Sequence, residues 1–274
     1  MGDGEAMSIP MSRMSIEFLA DDNPLYVLPF FEEFIKNYAG EFTIKRISLC
    51  KPMGKRSRIQ LLKQLTALYG PIGMVRILSR FGSARCLGIF PKGRNARRFH
   101  TLSQLCRAYG INCDITDNPN SDDFCDGMSG RGTDLLISVA CPFILKPPLL
   151  NTPPLGCINI HHAPLPKYKG MMPTFWQMFH RESKVGVTIH YMEEKIDDGR
   201  AILQDELVID PQESLDHLIK RAKKHGAHCM ARVLRLITHN EQVPVPLNKA
   251  GATYFTFPTS AQMVEFRRRG LRAL

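Results

Sequence analysis

The sequence predicts a doubly wound α/β domain built on a mostly parallel sheet. Three observations carry that prediction. Asp134–Ala140 is a nearly continuous apolar run, the pattern of a strand buried on both faces of a parallel sheet. Short apolar runs alternate with longer helical patterns through the first half of the chain. Ile158-Asn159-Ile160-His161 ends a further strand with Asn159 and His161 on one face, and Pro164, Pro166 and Gly170 then force a turn. Open α/β sheets bind their ligands at such strand ends.

Taken in order, residues 1–14 hold acids and no apolar core, so they read as a disordered lead rather than a signal peptide. Ser15–Ala20 is a strand that turns at Asp21-Asp22-Asn23-Pro24, and Leu25–Asn37 is a helix bent or restarted at Pro29. Phe42–Leu49 alternates as a second strand. Ile59, Leu62, Leu65, Tyr69, Ile72, Val75 and Leu78 then recur at helical intervals, with Gly70-Pro71 splitting the run into two helices. Cys86–Phe90 is expected as a short strand, Thr101–Tyr109 as a helix closed by Gly110, and Ile111–Ile115 as another strand. Asp117–Gly132 reads as a polar loop before the central strand.

Past the Asn-x-His stretch, Met171–Glu182 is expected to be a helix that buries Trp176. Gly186–Met192 is a strand that enters the charged loop Glu193–Gly199. Asp210-Pro211-Gln212-Glu213 has the chemistry of a helix start, and Leu215, Leu218, Ala222, Cys229, Val233 and Leu236 make one buried stripe. The expected organisation is a catalytic domain over 15–240 and a short extension over 241–274 with a basic tail.

Composition narrows the classes. No run of eighteen apolar residues offers a membrane span. The eight cysteines form no Cys-x-x-Cys pair, which suits reduced thiols in a cytoplasmic protein. His225-x-x-His228 shares a helical face, but without supporting Cys or carboxylate spacing it reads as surface or packing, and no metal is expected. The formal charge of +10 points to an anionic partner, and fourteen Lys or Arg between Lys45 and Arg98 are met by no acid. A solvated basic face accounts for most of these charges; a pyrophosphate, a tRNA backbone or an anionic lipid surface are the alternatives.

Asn159-Ile160-His161, Leu165-Pro166, Tyr168-Lys169-Gly170-Met171-Met172-Pro173, Gly186-Val187-Thr188 and Asp197-Asp198-Gly199 follow one another at defined spacing. In these motifs the chain resembles the folate-dependent formyltransferases, closely from about Thr133 to Ile209 and weakly elsewhere. The resemblance implies a Rossmann-like fold and 10-formyltetrahydrofolate as cosubstrate. It implies Asn159, His161 and Asp197 as catalytic residues. Phe143, Ile144 and Leu145 would meet the pteridine through backbone groups, with Glu193, Glu194, Lys195, Ile196 and Asp198 in the facing loop. Formyl transfer to an amine passes through a tetrahedral oxyanion, which Asn159 and His161 would stabilise while Asp197 holds His161 and helps accept the amine proton. His162 and His190 have no place in the family pattern, and Cys157 reads as packing.

Ala163-Pro164 stands where the family has Ser-Leu, and Lys169 where it commonly has Arg. The glycine-rich phosphate loop of glycinamide-ribonucleotide enzymes is absent, and after Pro246 there is no room for the C-terminal β-barrel of full-length tRNA enzymes. The expected acceptor is therefore a small amine, an anionic nucleotide-linked amino sugar. Methionyl-tRNA is the second reading; a 10-formyltetrahydrofolate hydrolase and a non-catalytic folate-binding module stay open.

Overall fold

A computed structural model describes residues 13–50 and 58–274. The 1–14 lead is thus almost wholly outside the described residues, as is the basic stretch holding Lys55 and Arg56. In chain order the strands are β1 (Ser15–Asp21), β2 (Thr43–Cys50), β3 (Cys113–Thr116), β4 (Leu135–Val139), β5 (Cys157–His161), β6 (Lys169–Gly170), β7 (Lys184–Tyr191), β8 (Ala201–Val208) and β9 (Tyr254–Phe255). The helices are α1 (Leu28–Tyr38), α2 (Arg58–Leu87), α3 (Leu102–Tyr109), α4 (Asp122–Gly130), α5 (Pro147–Leu150), α6 (Pro173–Phe179), α7 (Leu215–Thr238) and α8 (Ser260–Arg268).

The main sheet runs β3-β2-β1-β4-β5-β7-β8. Its first five members are parallel, whereas β7 pairs antiparallel with β5 and β8 antiparallel with β7. From β1 the order moves outward to β2 on one side and to β4 on the other, so the strand direction of winding reverses beside β1. That reversal leaves a crevice at the carboxyl ends of β1 and β4.

Both faces of the sheet are covered, which is why β4 is buried throughout and apolar but for Ser138. On one face Phe18 of β1 meets Phe31 and Phe34 of α1 edge-on, with centroids 5.2 and 5.4 Å apart. Met230, Val233 and Leu234 of α7 complete that layer. On the other face Leu19, Leu136 and Cys157 pack on Met128 and Leu149 from α4 and α5. A third cluster joins Phe175 and Trp176 of α6 to Leu218 of α7 and Phe266 of α8. Glu17, 1% exposed, accepts from Arg131 Nε at 2.6 Å and Thr133 Oγ1 at 2.6 Å, so its buried charge is paired.

Several expectations need correction. Cys86–Phe90 forms no strand: α2 runs to Leu87 and a turn follows, because Gln104 draws in the carbonyls of Leu87 and Phe90. Pro29 opens α1 rather than bending it, since a first-turn proline sacrifices no helical bond. The polar loop at 117–132 contains α4, whose first turn carries Asp122 and Asp123. α7 begins at Leu215, capped by Ser214, while Asp210 closes a turn on Gln212 and Glu213 instead. Strand β8 and helix α8 escaped the sequence reading altogether. Within residues 241–274, Met263 and Phe266 of α8 are fully buried in the third core cluster.

Gly70 splits α2 as expected, with φ of 70°. The helical stripe chosen there mostly faces outward, however: Ile72 is 79% and Val75 68% exposed, while Leu68, Met74, Ile77 and Ala84 face the body. Spacing found the helix and not which side of it packs.

Gly186 of β7 lies under the loop that leaves β5. A Cβ there would stand 2.3 Å from Pro164 N and 2.7 Å from the Ala163 carbonyl carbon, against backbone that has nowhere to go. Gly186→Ala is expected to cost about 1–3 kcal/mol of stability, as overpacking does. Urea unfolding reads this directly; an unchanged midpoint would contradict the contact.

Candidate active site

A cleft of about 600 Å³ opens at the crevice where the winding reverses. Asp21 enters it from the end of β1, Ala140–Leu145 from the turn after β4, and Asn159 to His162 from β5 and the residue beyond. Glu193–Asp197 line the facing wall, and Lys223 reaches in from α7.

Antiparallel pairing of β5 with β7 sets Asn159 opposite His190. Asn159 Nδ2 lies 3.2 Å from His190 Nε2, and His190 Nδ1 lies 2.8 Å from the Tyr191 carbonyl. A carbonyl can only accept, so Nδ1 carries the proton and Nε2 is free to accept from Asn159. Burial lowers the His190 pKa, which favours this neutral form. His161 Nε2 donates to the Tyr168 carbonyl at 2.8 Å, and its Nδ1 is 3.6 Å from Asp197 Oδ1. Asp197 in turn accepts from Gly170 N at 2.9 Å through Oδ2, and its Oδ1 is 3.7 Å from His190 Nε2. Asp197 has φ of 50°, a left-handed conformation that costs free energy and lets the carboxylate turn back toward both imidazoles.

The surrounding motif residues hold this arrangement. Thr188 Oγ1 donates to the Ala163 carbonyl at 2.7 Å and accepts from Leu165 N at 3.2 Å, clamping the chain just beyond His161. Gln204 of β8 adds a bond to the Leu165 carbonyl at 2.7 Å. Tyr168 donates its hydroxyl to Glu182 at 2.7 Å and stacks on Phe255, so its carbonyl is fixed for His161.

Asn159, His161 and Asp197 therefore meet in one cleft, and Phe143, Ile144, Leu145, Glu193, Glu194, Lys195 and Ile196 line it with them. Asp198 is the exception. It is not among the lining residues, and its carboxylate is bound by Lys169 and by Lys249, the latter at 3.4 Å. Lys169, in the place of the usual arginine, thus ties down the loop that carries Asp197. Trp176 is core, 4% exposed, with its Nε1 donating to the Thr256 carbonyl at 3.0 Å.

Among the lining residues missed or set aside are Asp21, His162, His190 and Lys223. Lys223 Nζ is 3.4 Å from His162 Nδ1, and burial pushes its pKa down to about 8. Burial, reinforced by the neighbouring Asp22 charge, pushes Asp21 up to about 6. The sequence did carry a signal for Lys223. It lies between Ala222 and Gly226, Ala227 on the apolar stripe of α7, where a lysine has no reason to be unless it faces a polar cavity.

An α/β fold with a polar triad in a half-open cleft at its switch point defines a ligand-converting or ligand-binding protein of the Rossmann-like class. Residues 94–234 match the family described as formyl transferase, and the chain belongs to it. The methionyl-tRNA formyltransferase of Syntrophus aciditrophicus is 38% identical over 121 residues, covering 44% of this chain and 39% of that protein. The chain spans about two fifths of the length of this relative and of the methionyl-tRNA formyltransferases of Alkaliphilus oremlandii and Synechococcus sp. that it also matches. Glycinamide ribonucleotide transformylase 1 from Symbiobacterium toebii shares the fold at a TM-score of 0.61 and 13% identity, covering 90% of this chain and 100% of that one. An N-formyltransferase from Helicobacter canadensis, solved with folinic acid and dTDP-3-aminofucose, has a TM-score of 0.54 at 14% identity, covering 95% and 84%.

Proposed function

We propose that this chain transfers the formyl group of 10-formyltetrahydrofolate to a primary amine. The observation that carries the reading is the convergence of Asn159, His161 and Asp197 on one cleft with Phe143–Leu145 and Glu193–Ile196. The cleft suits a folate: it has the volume of a small-molecule site and apolar walls from Phe143, Ile144, Met171 and Ile196. Lys195, at the mouth, suits a carboxylate tail. The folate supplies a formyl group activated on nitrogen. Asn159, with one amide hydrogen directed to His190, has the other to offer an oxyanion. Asp197 orients His161, and the pair holds the proton that the attacking amine gives up.

The acceptor we infer is the amino group of methionyl-tRNA, ahead of the nucleotide-linked amino sugar expected from the sequence. Identity of 38% to a methionyl-tRNA formyltransferase across the motif region supports this order, as does the acid-free basic run from Lys45 to Arg98. Incubation with 10-formyltetrahydrofolate and a panel of amines, following folate product and formate, tests the chemistry. Free formate without acceptor would mark a hydrolase; absence of turnover with folate still bound would mark a binding module.

Salt separates the acceptors. Each duplex phosphate contacted contributes about 0.9 to the slope of log K against log salt. Binding of charged initiator tRNA is expected to show a slope equivalent to about six or more contacts. A slope equivalent to about one to three, with turnover on a nucleotide-linked amino sugar, would restore the sugar and leave formyl transfer standing.

A further inference from the structure

Away from the cleft, α7 and the edge strand β8 bring together three metal-ligating side chains. His225 and Cys229 lie one helical turn apart on α7, and Asp205 faces them from β8. His225 Nε2 is 3.6 Å from Asp205 Oδ2, Cys229 Sγ is 3.6 Å from the same oxygen, and Cys229 Sγ is 3.6 Å from His225 Nε2. The atoms form a nearly equilateral triangle. Its nitrogen–oxygen edge is long for an ordinary polar contact, since 3.6 Å is beyond a nitrogen–oxygen hydrogen bond, while the two sulfur edges are of normal length for a thiol.

Those edges are what a small tetrahedral cation requires. Bonds of about 2.3 Å to sulfur, about 2.0 Å to nitrogen and about 2.0–2.2 Å to oxygen place ligand atoms about 3.3–3.6 Å apart at tetrahedral angles. A thiolate, an imidazole and one carboxylate oxygen form the mixed donor set that selects zinc among common divalent ions. The surroundings are also suited. Cys229 is 1% exposed and makes the floor, while His225 and Asp205 are 27% and 31% exposed at the mouth, so an ion and a fourth, water ligand have access from solvent. Asp205 Oδ1 accepts from Glu206 N at 2.8 Å, which aims Oδ2 at the triangle.

One group opposes this. Arg232 Nη1 donates to Asp205 Oδ2 at 2.9 Å. The oxygen has a second lone pair, so it can serve both partners, but the guanidinium charge would weaken the binding of a dication. The Arg232 side chain is 58% exposed and free to swing into water. The His225-x-x-His228 pair, read from sequence as surface or packing, does not converge: His228 turns to Tyr38 and Glu33 on α1, and it is Cys229 that joins His225.

We propose that Asp205, His225 and Cys229 form a zinc site that staples the edge strand β8 to α7. Binding releases the Cys229 thiol proton to solvent and leaves a water in the fourth position. The site is independent of the formyl-transfer reading.

The test is to strip the full chain with a chelator and titrate it with Co²⁺ and then Zn²⁺. Expected are one equivalent of tetrahedral Co²⁺ absorption with a thiolate charge-transfer band, displaced by Zn²⁺, and a Tm that rises with Zn²⁺ but not with Mg²⁺. His225→Gln and Asp205→Asn, both at the partly exposed mouth, should each weaken binding by at least about tenfold while the apo Tm holds. Arg232→Gln should tighten it, an outcome that simple packing of these side chains does not produce. Absence of the cobalt signal, or an undiminished signal in both mouth variants, overturns the proposal.

Discussion

His161→Ala is expected to lower turnover by at least about a hundredfold, the scale of losing one group preorganised for a developing charge. Asn159→Ala and Asp197→Ala should fall in the same range. The geometry says why they should behave as one unit. Asn159 and Asp197 both reach His190, at 3.2 and 3.7 Å, and Asp197 also faces His161 at 3.6 Å, so removing any member frees its neighbours to reorient. Double variants should therefore lose much less than the product of the single losses. Asp197→Ala also releases the Gly170 amide, so the loop at 168–172 should loosen as well. Folate affinity, which the proposed function assigns to the Phe143–Leu145 wall, should change little in His161→Ala. Single-turnover kinetics beside folate titration separates the two quantities, and a His161→Ala protein with near wild-type turnover would sink the assignment.

The sequence places Asn159 and His161 on one strand face, and the family resemblance adds Asp197 from the loop after the next strand; the structure brings the three side chains to one cleft. The parallel core was legible for the same kind of reason: β4 is buried along its whole length, and its place between β1 and β5 in the interior of the sheet fits that pattern. What stayed hidden depended on contacts between distant segments. His190 was dismissed because nothing local says that β7 pairs antiparallel with β5 and brings it to Asn159. Asp198 was expected beside the cofactor, and its ion pairs with Lys169 and Lys249, which draw it out of the cleft, are contacts that local sequence does not show. The stripe on α2 had the right period and the wrong side, since periodicity fixes a helix but not what covers it. Cys229 was read as packing along α7; β8, which supplies Asp205, went unseen, so no ligand set could be assembled.

Lys223→Met is expected to flatten the alkaline part of the stability profile. Burial holds the Lys223 ammonium at about 8 in the folded chain against 10.5 for an ordinary lysine, with the Asp21 charge offsetting part of the cost. Below about pH 8 both folded and unfolded chains carry the proton, so the cost of burying the charge is fully present. Between about 8 and 10.5 the unfolded chain holds more protons, so the wild-type stability should rise with pH across this window. The gap corresponds to about 3 kcal/mol. Asp21 cannot produce this rise, because its pKa of about 6 places its own titration well below the window. Lys220, whose pKa burial also lowers, remains in both proteins and cancels in the difference. Urea unfolding of wild type and Lys223→Met at intervals from pH 7.5 to 10.5 reads the effect, with the wild-type curve gaining about 3 kcal/mol on the variant. Parallel curves would mean that the ammonium sits in water at the cleft mouth, and Lys223 would lose its place as a buried cation facing the cleft.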